Sequence, residues 1–145
     1  MKRIILLAFL VGLLSCSTQQ GLTPIQPAIR HYSPTIVDSL SPHLKWQAAS
    51  ETDARYDVVI LDTTASGKPG QPVYYREGIE AAEHKVADTL KPDTNYYWSV
   101  RLRRGSSVGD WSTYDHKLLV PIPFGFYYQG QGNLFFPFKT PPPND

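Results

Sequence analysis

Cysteine occurs once in this 145-residue chain, at Cys16, so no disulfide can form within it and the fold must rest on its hydrophobic core. No stretch reads as a membrane-spanning helix. The uncharged run Ile4 to Leu14 has eleven residues, too few to cross a bilayer comfortably. The longer uncharged run Leu118 to Phe138 is broken by Pro121, Pro123 and Pro137. Neither sign of charge is in excess, with 14 Lys and Arg against 13 Asp and Glu. Removing the first fifteen residues takes away Lys2 and Arg3 and leaves twelve against thirteen, which offers no electrostatic case for nucleic acid. Catalytic signatures are also missing. There is no Gly-x-Ser-x-Gly elbow, no glycine-rich phosphate loop, no His-Glu-x-x-His and no pair of cysteines. The histidines His31, His43, His84 and His116 are scattered. Solvated loop charge accounts for Glu77, Glu80, Glu83 and His84, and for Asp110, Asp115 and His116 near Trp111. The expectation is a non-catalytic protein without metal or cofactor.

The chain does have proline, 13 residues, nearly twice the ordinary ~5%. That load disfavours long helices and suits an all-β domain with many turns. Strand patterns recur about every ten residues. The clearest is Leu90 to Leu102: Pro92, Asp93 and Asn95 supply turn chemistry, then Tyr96, Trp98, Val100 and Leu102 alternate with Tyr97, Ser99, Arg101 and Arg103. That alternation predicts one apolar and one wet face. Tyr32 to Leu40, carrying Pro34, reads as an edge strand. His43 to Gln47 reads as a strand with Leu44 and Trp46 inward. Ala54 to Leu61 follows with Tyr56, Val58 and Ile60 on one face. Asp62 to Pro72 reads as a loop, and Pro72 to Gly78 and His84 to Leu90 as two short strands. The predicted core comprises Trp46, Tyr56, Val58, Ile60, Leu90, Tyr96, Trp98 and Val100.

Two resemblances are carried by these residues. The segment Leu13-Leu14-Ser15-Cys16, behind the basic start Lys2-Arg3 and the apolar run, resembles the lipobox of bacterial lipoproteins. It implies a signal peptide over 1–15, acylation (palmitate among the chains) of Cys16, and anchoring in the cell envelope. The absence of Asp after the cysteine, where Ser17 stands, implies the outer membrane. Residues 16–30 are expected to be a flexible tether and 141–145 a disordered tail. The second resemblance rests on Leu44 and Trp46, Tyr56-x-Val58-x-Ile60, Leu90-x-Pro92-x-Thr94-x-Tyr96, Trp98 and Gly109-x-Trp111-Ser112. Together these look like a fibronectin type III domain over about Ser33 to Val120. The resemblance implies an immunoglobulin-like antiparallel β-sandwich of about seven strands within 31–140. It also implies that Tyr96 is a tyrosine corner, its hydroxyl bonded to upstream backbone.

The chain departs from that family at its end. Leu118 to Phe138 is 21 residues without charge and holds seven of the eighteen aromatic residues. Gln129 to Asn133 reads as the turn of a hairpin between Phe124 to Tyr128 and Leu134 to Phe138, and Leu134 to Thr140 is a candidate last strand. These aromatics either complete the core or form an apolar patch for a partner or the membrane interface. The candidate binding residues are Phe124, Phe126, Tyr127, Tyr128, Phe135 and Trp111. The partner expected is another envelope protein, with the membrane held through the lipid on Cys16. The alternative is a carbohydrate-binding surface that stacks sugar rings on Trp111, Tyr127, Tyr128 or Phe135.

Overall fold

A computed structural model describes residues 21–30, 33–122 and 125–143, with 115–122 and 125–133 described by their backbone. Among these residues every regular element is a strand. In chain order they are β1 (Pro24–Gln26), β2 (Thr35–Ile36), β3 (His43–Trp46), β4 (Arg55–Thr63), β5 (Pro69–Ile79), β6 (Glu83–Lys85), β7 (Asn95–Arg104), β8 (Ser107–Val108), β9 (Tyr114–Ile122), β10 (Gly125–Leu134) and β11 (Phe136–Lys139). The first sheet has the order β1-β3-β6. The second has six strands, β2-β11-β7-β4-β5 with β8 added to β7, and β9 and β10 form a two-stranded ribbon of their own. No helix among the described residues is long and apolar enough to cross a membrane.

The alternation in β4 and β7 explains how the sheets pack. Tyr56, Val58 and Ile60 lie opposite Leu102, Val100 and Trp98 in the antiparallel register. All but Leu102 are buried, as are Leu44 and Trp46 from the first sheet and Val86 just after β6. Trp46 sits at the centre, edge-on to Tyr56 at 5.2 Å and 6.5 Å from Trp98. Phe136 meets Trp98 at 5.3 Å, and Phe138 stacks on Tyr96 at 5.6 Å. The two sheets thus make a sandwich-like arrangement around an aromatic core. Leu90 is buried with them, so every residue expected in the core lies there.

The β6–β7 connection is fixed by hydroxyls. The Lys91 N–H donates to the buried Tyr96 hydroxyl at 3.1 Å. Thr140, fully buried, donates to the Lys91 carbonyl at 2.6 Å and accepts from the Thr94 N–H at 2.9 Å. Asp93 N–H donates to the Pro141 carbonyl at 2.8 Å, so Pro141, expected in the tail 141–145, is bonded to the fold.

Three expectations about the chain's organisation are corrected. First, the described part of the segment read as a tether, residues 21–30, joins the sandwich-like fold. β1 pairs with β3, Gln47 N–H donates to the Thr23 carbonyl at 2.8 Å, and Leu22 N–H donates to Ser112 Oγ at 2.8 Å. Backbone hydrogen bonding, rather than apolar pattern, recruits this stretch. Second, Pro69 to Pro72 belongs to β5 instead of a loop. β5 is the end strand of its sheet, where a proline without an N–H is tolerated. Third, the segment read as the turn of the hairpin is part of a strand. The partner of Phe126 to Tyr128 is Leu119 to Pro121, and Gln129 to Asn133 lies inside β10 with a register irregularity.

That correction exposes an interrupted last strand. Gly109 N–H donates to the Leu102 carbonyl and Ser112 N–H to the Val100 carbonyl, at 2.8 and 2.9 Å. The chain then leaves as the β9–β10 ribbon and returns as β11, which continues along the same edge of β7 from Trp98 to Asn95. Of the candidate last strand Leu134 to Thr140, Phe136 to Lys139 therefore supplies the second half of that strand.

Candidate functional site

The face of β7 expected to be wet is largely closed off. Ser99 is fully buried and bonds the Ser112 carbonyl at 2.7 Å. The side chains of Arg101 and Arg103 are only 20% and 21% exposed. The cause is Asp57, on the neighbouring strand opposite Arg101 and fully buried. Its carboxylate accepts Arg101 Nε at 3.0 Å, and two Arg103 nitrogens at 2.8 Å each, one per oxygen. The β5 backbone supplies a further donor. The register of β4 with β5 slips between Tyr56 and Val58, and Gly78 there has φ of +69°, which a side chain would resist. Its N–H donates to Asp57 Oδ1 at 3.1 Å. Arg103 also reaches Glu77 at 2.9 Å.

Burial would push the Asp57 carboxyl up, but the hydrogen bonds from Arg103, the Gly78 N–H and Arg101 outweigh it and hold the group below the usual aspartate range. Asp57 in turn holds Arg103 firmly charged. The cluster is a neutralised, hydrogen-bonded ion network rather than a reactive carboxylate.

Aromatic rings border it. The Arg101 guanidinium lies 4.4 Å from the centre of the Trp111 ring, a cation–π contact. Tyr75 approaches Trp111 edge-on at 6.5 Å, and Phe135 lies 6.5 Å away on a tilted plane. Tyr75 is 47% exposed and Val73, on the same face of β5, 45%. An indole fixed over a guanidinium that is itself fixed by a buried carboxylate is a preorganised contact surface, since little side-chain freedom remains to be lost on binding.

The sequence-predicted site residues divide. The structure brings Trp111 and Phe135 together at this network. Phe126, Tyr127 and Tyr128 lie in β10, opposite Pro121, Val120 and Leu119. Cys16 and Phe124 lie outside the described residues. The acidic residues around His84 disperse to separate partners: Glu77 to Arg103, Glu80 to Arg55, Glu83 to Lys45 and His43. His84 Nε2 meets the Tyr74 hydroxyl at 2.7 Å. Among the described residues no group of three His, Cys, Asp or Glu could hold a metal ion.

Sequence reasoning missed Asp57, Arg101, Arg103, Tyr75 and Val73 as a unit. A signal existed: Asp57 interrupts the apolar run Tyr56 to Leu61, and a lone carboxylate there needs cations on the adjacent strand.

Fold and site together define a β-sandwich with an aromatic and arginine-bearing surface on its six-stranded sheet. No family model, curated protein or solved structure matches the chain.

Proposed function

We propose that this protein is a lipid-anchored outer-membrane envelope protein, non-catalytic, whose fibronectin type III-like domain docks on another envelope protein. The Trp111–Arg101–Asp57 stack carries this reading, because Trp, Tyr and Arg held rigidly at a patch centre are the side chains that dominate protein interfaces. The strand order β1-β3-β6 against β11-β7-β4-β5, and the bond from Lys91 N–H to the Tyr96 hydroxyl, support the family assignment. The lipobox-like Leu13 to Cys16 supports the anchor. The same rigid indole, with a phenol hydroxyl beside it, also suits a sugar ring, and one experiment separates the two. Tyr75→Ala and Trp111→Ala proteins are compared with the parent for copurifying proteins from detergent-solubilised envelope and for binding to soluble glycans. Tyr75 is half exposed, so its loss should cost less than ~1 kcal/mol of stability. A partner protein should be lost with at least ~tenfold weaker binding. Retention of the same proteins by both variants sinks the docking face, and glycan binding lost in both transfers the site to carbohydrate.

A further inference from the structure

The ribbon β9–β10 is a two-stranded sheet of its own, pairing with neither of the other sheets. Its charges are confined to the base, where Asp115, His116 and Lys117 follow Tyr114. From Leu118 to the end of β10 no charged residue occurs. The register sets Val120 opposite Tyr127 and Pro121 opposite Phe126. Successive strand residues belong to opposite faces, so both faces of the outer ribbon are composed of apolar and aromatic residues. A ribbon built to lie on its own sandwich needs only one.

The chain enters the fold beside this ribbon. Gly21 has φ of +93° and packs so closely on Ser112 that a Cβ there would stand 2.5 Å from Ser112 Oγ. Leu22 N–H donates to the same hydroxyl, and β9 begins two residues after Ser112. Only Ser17 to Gln20 separate Cys16 from Gly21, a reach of at most ~17 Å. β9, from Tyr114 to Ile122, is ~27 Å long at ~3.4 Å per residue. The ribbon is thus longer than the leash that holds its base near the lipid.

We infer that the β9–β10 ribbon rests its uncharged outer part in the surface of the lipid bilayer to which Cys16 anchors the chain. This rests on the reading of Cys16 as acylated. A two-stranded ribbon has open edges that hydrocarbon cannot satisfy, so it stops at the headgroup–acyl boundary, where water still reaches the backbone. Aromatic residues favour that depth. Acyl chains supply most of the affinity, and the ribbon adds a weaker affinity of its own together with orientation: two contacts rising from neighbouring points fix which side of the sandwich is turned to the membrane.

The test uses the full mature chain with Cys16→Ser, which removes the acyl group and the only cysteine. A new cysteine is placed at the outer ribbon by Phe126→Cys, or at its base by Asp115→Cys, and labelled with an environment-sensitive fluorophore. On vesicles of phosphatidylcholine alone, the label at position 126 should shift to the blue and be quenched by nitroxides near the headgroup, while the label at 115 stays unchanged. Val120→Asp should weaken vesicle binding at least ~tenfold with an unaltered melting temperature. Should that variant fail to fold, the two labels still decide. No shift at 126 on lipid overturns the inference. A shift only on protein-containing envelope vesicles also overturns it and assigns the ribbon to a protein groove. Because the acyl group is absent throughout, failure of the anchor is read separately, from membrane retention of the parent against Cys16→Ser after a high-salt wash.

Discussion

Replacing Asp57 with alanine should be the most damaging single change outside the aromatic core. The carboxylate is fully buried and takes three guanidinium N–H bonds and one backbone N–H, all between 2.8 and 3.1 Å. Truncation leaves two cations four-fifths buried with only the exposed Glu77, on Arg103, as a remaining carboxylate partner in the network. Removing one partner of such a pair costs about 3–5 kcal/mol, because the remaining charge keeps its desolvation penalty. For a domain of this size that corresponds to a fall in melting temperature of about 10–25 °C. Asp57→Asn is the finer probe, since it keeps shape and some hydrogen bonding while removing the charge. The carboxyl is held below its ordinary value, so the unfolded chain takes up its proton first as pH drops. Its contribution is full above the unfolded pKa of ~3.9 and is lost as pH falls through the lower folded value. Thermal melts by circular dichroism near about pH 6 and about pH 3 would measure this. The parent should lose more melting temperature between the two conditions than Asp57→Asn does. An Asp57→Ala protein melting within a degree or two of the parent would refute the ion-network account. Equal acid sensitivity of the parent and Asp57→Asn would refute the titration argument.

Two further outcomes follow from the hydroxyl contacts. Tyr96→Phe keeps the ring stacked on Phe138 but removes the acceptor of the Lys91 N–H, and chemical denaturation should register a loss of about 1–3 kcal/mol. A variant as stable as the parent would remove the tyrosine corner. Burial, followed by the charges of Arg76 and His43, pushes the His84 pKa down. The unfolded chain therefore protonates first, and stability should be full above ~pH 6.5 and decline as pH falls through the folded value. The decline should flatten in His84→Gln, and an unchanged pH profile would show that His84 is not its source.

The strands most legible in the sequence are those with one face in the core. Trp98 and Val100 announced β7 because alternate residues meet the opposing sheet while their neighbours are polar. That logic assumed polar meant exposed, and Ser99, Arg101 and Arg103 show where it fails: charges that satisfy one another can be covered. β1 was illegible because Pro24-Ile25-Gln26 has no pattern, its pairing being backbone to backbone with β3. The glycines of Gln129 to Asn133 imitate a turn, yet β10 absorbs them as an irregularity in register. Trp111 was singled out for its aromatic surface, but its role depends on Arg101, a contact that only the fold creates.

The split in the last strand gives the sandwich a socket. Tyr114 and Leu134 stand opposite each other across the base of the ribbon, a pairing distance of ~5 Å. The chain departs and returns at one point, so β7 keeps its edge covered whatever lies between. Lengthening the insert even twofold would add only ~0.6 kcal/mol of closure entropy. Selection can therefore shorten, extend or replace the ribbon while the aromatic core and the Asp57 network stay as they are. Descendants of this chain would be expected to differ most between residues 115 and 133, and a ribbon grafted there from elsewhere should be displayed without refolding its host.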